Sequence, residues 1–124
     1  MEIILTHEES ENFFYNSLCN SLGYIQGYGL ELDFKKADYQ SAKEKLTSPC
    51  YEDVLMQILR DGNKLTLKDL EGSEYTESIV LADVHERVQD VPFGHLCDMI
   101  NENDDATTGD VIIQWVFYQE IIFG

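Results

Sequence analysis

The stretch from Val111 to Phe123, Val-Ile-Ile-Gln-Trp-Val-Phe-Tyr-Gln-Glu-Ile-Ile-Phe, is the most apolar run of the chain and holds its only tryptophan, Trp115. Leaving Trp115, Phe117 and the isoleucines in water forfeits roughly 1.5 to 3 kcal/mol per side chain, so the rest of the molecule must cover this run. A bilayer span needs about 20 apolar residues; this run is shorter, and Gln114, Gln119 and Glu120 interrupt it. β-Branched and aromatic residues favour strand, whereas the length and the i,i+4 spacing of Asp110 and Gln114 favour helix. Thr107 followed by Asp110 also has the form of an N-cap with an acid at N3. The pattern predicts a buried helix from about Gly109 to Gln119, then a short extended tail at Ile121 to Phe123.

With 124 residues, 44% of them hydrophobic, the chain is the size of one domain able to bury a core, and a single domain over 1–124 is expected. Met1 to Leu5 runs directly into Thr6-His-Glu-Glu with no basic, apolar leader, which points to a cytoplasmic location. Cys19, Cys50 and Cys97 are odd in number and lack a Cys-x-x-Cys, fitting reduced, buried thiols rather than a disulfide framework.

Charge is distributed unevenly. Residues 1–34 carry six acids and no Lys or Arg, residues 35–68 balance to +2, and residues 69–124 hold thirteen acids against Arg87 alone, within a total of −16. Such a field repels phosphate backbones and anionic headgroups and attracts basic surfaces. Direct nucleic-acid or membrane binding is therefore not expected. Acidity of this size also serves plain solubility.

Met1 to Leu5 is β-prone and reads as a strand. Thr6-His-Glu-Glu9 fits a capping box, opening an amphipathic helix with Phe14, Leu18, Leu22 and Ile25 on one face and Gly23 as its stop. Gly23 to Gly29 then reads as an adaptable loop. It presents Tyr24 and Tyr28 outward or folds them back on the core, the usual fate of aromatic rings. Leu30, Leu32 and Phe34 alternate with charged residues as in a strand, and Ala37 to Leu46 reads as a charged helix. Ser48-Pro49 should start a helix bearing Tyr51, Val54, Leu55, Ile58 and Leu59, with Gly62 past its end. Residues 64–81 spell a hairpin turning at Glu71-Gly-Ser-Glu74. Asp83 with Glu86 repeats the capping pattern, Leu81, Val84, Val88 and Val91 make an apolar stripe, and Pro92 ends that helix. Phe93 to Ile100 reads as another short helix, and Asn101 to Asp110 as a polar loop. The order gives an α+β fold with a small, mostly antiparallel sheet under helices.

Several groups bear on chemistry. Asn101 to Asp110 is rich in oxygen ligands but fails the EF-hand pattern, leaving Asp104, Asp105 and Asp110 as a loose metal set at most. His95 and Cys97, two apart on a helix, face different ways. His85 has Asp83, Glu86 and Asp90 near it in sequence, a setting for acid–base work that lacks a nucleophile. Glu31-x-Asp33-x-Lys35 has the form of a metal-holding array for phosphodiester hydrolysis, and equally of a half-exposed strand.

With no convergent catalytic set and no cofactor indicated, the expected function is a non-enzymatic acidic interaction or regulatory protein that engages a basic partner surface. Its contact residues would be Tyr24, Tyr28, Glu71, Glu74, Glu77, Glu86, Asp90, Glu102, Asp104 and Asp105. In a sharper form these acids, together with Asp69, imitate a phosphate array and block a nucleic-acid-binding protein, as an inhibitor from a mobile element would. The alternatives are a divalent-metal-dependent enzyme and, from the aromatic content of 11%, a homo-oligomeric structural protein.

Overall fold

Thr6 starts the first helix by the reciprocal bonds its sequence calls for. Its Oγ1 accepts from Glu9 N at 3.1 Å, and Glu9 Oε1 accepts from Thr6 N at 2.9 Å. The computed structural model describes residues 4–72, 74–91 and 106–123. Its elements in chain order are α1 (His7–Gly27), β1 (Leu30–Asp33), α2 (Lys36–Glu44), α3 (Tyr51–Arg60), β2 (Leu65–Asp69), β3 (Glu77–Ile79), α4 (Leu81–Gln89) and α5 (Ala106–Tyr118). The result is a compact α+β fold. The strands form one antiparallel sheet in the order β1-β2-β3. Leu32 lies opposite Leu67 and Leu65 opposite Ile79, so Leu30, Leu32, Leu65, Leu67 and Ile79 turn one face into the core. On the other face Glu31 lies opposite Lys68, and the Thr66 and Ser78 hydroxyls bond at 2.7 Å.

The expected strand at Met1 to Leu5 does not form over its described part: Ile4 is exposed, and Leu5 N donates instead to the Gln89 side chain. Gly23 does not stop α1. Burial of Ile25, in line with Phe14 and Leu18, rewards one more turn, and the break comes where Gly29 takes φ +79° and leads into β1. Tyr24 thus lies on a helix rather than in a loop.

Two other helix starts shift for a common reason. An acidic side chain at N3 reaches back to the N-cap N–H. Asp53 Oδ2 accepts from Cys50 N at 3.1 Å, so Cys50 caps α3 in place of Ser48, which sits at φ +48°. Asp83 Oδ2 accepts from Val80 N at 2.9 Å, which makes Asp83 the third residue of α4 rather than its cap. Beyond α3, Gly62 at φ +87° closes the helix as expected, with Asn63 N donating to Ile58 O and Gly62 N to Leu59 O.

α5 is the buried C-terminal helix the sequence calls for, although it opens at Ala106, with Thr107 inside it rather than capping it. It packs on α1, its largest interface, and on α4 and β3. The two long helices approach closely at small residues. A Cβ at Gly109 would overlap Ser21 Oγ and lie 3.2 Å from Ser17 Cα, and Ser17 and Ser21 are fully buried. Trp115 is half-buried against the core formed by Ile112, Ile113, Val116 and Phe117.

Gln114, polar amid this run, is fully buried and uses its whole bonding capacity. Its Nε2 donates to Asp110 Oδ1 and to Phe123 O, each at 3.0 Å, and its Oε1 accepts from Ile122 N at 2.9 Å and Phe123 N at 2.8 Å. The tail is thereby bonded to its own helix rather than paired as a strand. Among the described residues no helix is long and apolar enough to cross a membrane.

Candidate functional site: an acidic cleft between the hairpin and the last helix

Because α5 lies beside β3, the end of the hairpin and the end of the helix meet. Tyr118 Oη donates to Tyr75 O at 2.7 Å. The Tyr75 ring stands edge-on to Tyr118 (6.3 Å, 75°) and to Phe123 (5.2 Å, 75°). Gln119, at φ +58°, turns the chain away from the helix and brings Glu120 and Ile122 to the same place. The result is an open cleft of about 340 Å³, lined by Glu74, Tyr75, Glu77, Arg87, Phe117, Tyr118, Gln119, Glu120 and Ile122.

Its cation is already engaged. Arg87 Nη1 donates to Val116 O at 2.7 Å and Nη2 lies 3.5 Å from Asp83 Oδ1. Burial first, then the carboxylates of Asp69 and Glu77, push the Tyr118 hydroxyl well above the ordinary tyrosine range. Carboxylates beside aromatic faces accept hydrogen bonds from ammonium or guanidinium groups and attract cations to the rings. Among the described residues no cysteine, serine or histidine lines the cleft.

Of the residues picked from sequence, Glu74 and Glu77 come together here. Glu71 lies across the hairpin turn against Gly29, and Glu86 and Asp90 are exposed on and just after α4. Tyr24 is 46% exposed. Tyr28 is turned inward: its hydroxyl donates to Asp110 at 2.8 Å and its ring stacks on Phe123 at 5.1 Å. Burial and the Asp110 bond push that hydroxyl up to about 12. Glu102, Asp104 and Asp105, the expected helix at 93–100, and the His95, Cys97 and Asp98 group lie outside the described residues. The Glu31-x-Asp33-x-Lys35 line does not converge. Asp33 accepts from Phe34 N, and Lys35 has left the strand to precede α2. Among the described residues no group of three His, Cys, Asp or Glu could hold a metal ion. Glu120 and Arg87 were not anticipated as neighbours of Glu74, because the turn after α5 is set by tertiary bonds.

Sequence reading singles out His85 of a second cluster but not the partners it meets there. Glu11 of α1 accepts from Arg60 Nε of α3 at 2.8 Å and meets His85 Nε2 of α4 at 2.9 Å. Burial would raise the Glu11 pKa, but the bonds from Arg60 and His85 outweigh it and hold the carboxyl below its usual range. His85 therefore finds its acid on α1, not among its sequence neighbours. His7 stacks on it at 3.9 Å with planes 9° apart. A ligated ion lies in the plane of each imidazole it binds, and two parallel planes share no such point, so this arrangement joins three helices rather than chelating a metal.

A third group lies where α1 meets α3. Tyr15 Oη donates to Asp53 Oδ1 at 2.8 Å beside an open hollow of about 400 Å³ that Leu46, Pro49, Met56 and Arg60 also line. The Asp53 bond, then Cys50, push the Tyr15 hydroxyl strongly up, and Tyr15 with the Cys50 N–H holds Asp53 below its usual value. Cys19 and Cys50 are free and exposed, contrary to the buried thiols expected, because Cys50 is a helix cap and Cys19 lies on the outward side of α1. The chain matches no family model, no curated protein and no solved structure.

Proposed function

We propose that the chain is a non-enzymatic, cytoplasmic interaction protein whose acidic cleft takes up lysine or arginine side chains from a basic partner surface. The observation that carries this reading is the gathering of Glu74, Glu77 and Glu120 around the Tyr75 and Tyr118 rings, with the cleft's own Arg87 committed to Val116 O and Asp83. Among the described residues none of these three carboxylates is in an ion pair, so an added cation meets them unpaired. The finer form of the proposal, in which the acids imitate nucleic-acid phosphates and inhibit a nucleic-acid-binding protein as a mobile-element inhibitor would, adds that DNA competes for the same partner.

Fluorescence anisotropy with a labelled Lys/Arg-rich peptide tests the reading. Binding weakens as salt rises, and E74Q/E77Q/E120Q lowers affinity about tenfold, since three exposed ion pairs contribute about 0.5 kcal/mol each. Binding that ignores both salt and the triple substitution refutes it.

A further inference from the structure

We infer that Cys19 and Cys50 form an oxidisable dithiol site that a small neutral peroxide converts to an intramolecular disulfide tying α1 to the start of α3. Both thiols are free and exposed. The two are linked through one side chain: Tyr15 Oη lies 3.7 Å from Cys50 Sγ, and Cys19 is the i+4 neighbour of Tyr15 on the same face of α1. That oxygen is held by its 2.8 Å bond to Asp53, whose other oxygen accepts from the Cys50 N–H. The two cysteines thus lie on either side of a fixed tyrosine at a junction where two packed helices meet, a placement that thirty intervening residues of sequence do not suggest.

The reaction is balanced by one peroxide. One sulfur, as thiolate, attacks a peroxide oxygen and breaks the O–O bond, giving a sulfenic acid and a hydroxide that is protonated to water. The second thiol gives up its proton and displaces hydroxide from the sulfenic sulfur, forming the S–S bond and a second water. Two sulfurs together lose two electrons and the peroxide gains them. The acidic surroundings, with Glu52 and Asp53 near Cys19, favour an uncharged oxidant over anionic disulfides such as oxidised glutathione.

The test treats the reduced, full-length protein with stoichiometric hydrogen peroxide, then combines intact mass, thiol counting and non-reducing peptide mapping. The expected result is a monomer 2 Da lighter, free thiols falling from three to one, a peptide joining Cys19 to Cys50, and a slower reaction with oxidised glutathione at equal concentration. The substitution C97S leaves the linkage intact, while C19S and C50S each abolish the 2 Da loss and accumulate a mono-oxidised thiol. A linkage through Cys97, covalent dimers, or sulfinic acid at Cys19 or Cys50 without a linked peptide would overturn the inference. Circular dichroism of C19S and C50S, expected to match the parent, separates lost chemistry from lost fold.

Discussion

Replacing Gln114 by glutamate exchanges an NH₂ for an oxygen with almost no change in volume, at a site with no solvent exposure. In the parent that NH₂ donates to Asp110 Oδ1 and Phe123 O, each at 3.0 Å. In the Gln114→Glu variant an acceptor faces two acceptors, one of them a carboxylate. Burial and the like charge of Asp110 both raise the new carboxyl's pKa, and a rise of about two to four units corresponds to about 3 to 4 kcal/mol at neutral pH, where the penalty levels off once the folded-state value passes 7. Set against about 5 to 15 kcal/mol for a whole domain, this leaves the variant marginal or with its tail undocked. The sign follows from linkage: a carboxyl with a raised folded-state pKa incurs no penalty below its unfolded value and loses stability as pH climbs to the folded one. The deficit relative to the parent, measured by urea unfolding, is therefore large near pH 7 and shrinks toward pH 4.5. Gln114→Met, which loses the four bonds without adding charge, shows a deficit that does not vary with pH. A Gln114→Glu variant as stable as the parent at pH 7, or with a deficit equal at both pH values, would refute the reasoning.

Two other substitutions probe the helix junctions. Glu11→Gln weakens charge-assisted bonds to Arg60 and His85 and should cost about 1 to 3 kcal/mol near neutral pH. Because the Glu11 pKa is depressed, its contribution is full above the ordinary carboxylate range and lost as pH falls through the folded value, so the variant flattens the acid limb of stability against pH. Gly109→Ala drives a methyl into Ser21 Oγ and the Ser17 backbone and should cost about 1 to 3 kcal/mol. Adding Ser21→Gly recovers part of this in a double-mutant cycle read by denaturant midpoint, and no recovery would place the strain elsewhere.

Local chemistry made much of this fold readable. The Thr6–Glu9 box, the alternation at Leu30 and Leu32, the hairpin and the Gly62 stop all depend on residues a few positions apart, and all form as spelled. Misreadings arose where distant atoms decide. Gly23 carries no stop signal that outweighs the burial of Ile25, and near the N-terminus Leu5 N donates to the Gln89 side chain rather than to a strand neighbour. The same limit applies to the sites. Glu74 and Glu77 were picked for charge alone, whereas their grouping with Glu120, and the meeting of Glu11 with Arg60 and His85, require three-dimensional closure.

The outer strands of the sheet are four and three residues long, and each bears glutamate or aspartate at outward positions: Glu31 and Asp33 on β1, Glu77 on β3. Strand borders of this kind are poor templates for a second copy, because joining two would set carboxylate against carboxylate before any ladder bond formed. The negative charge that readies the molecule for a cationic guest therefore also guards it against stacking on itself.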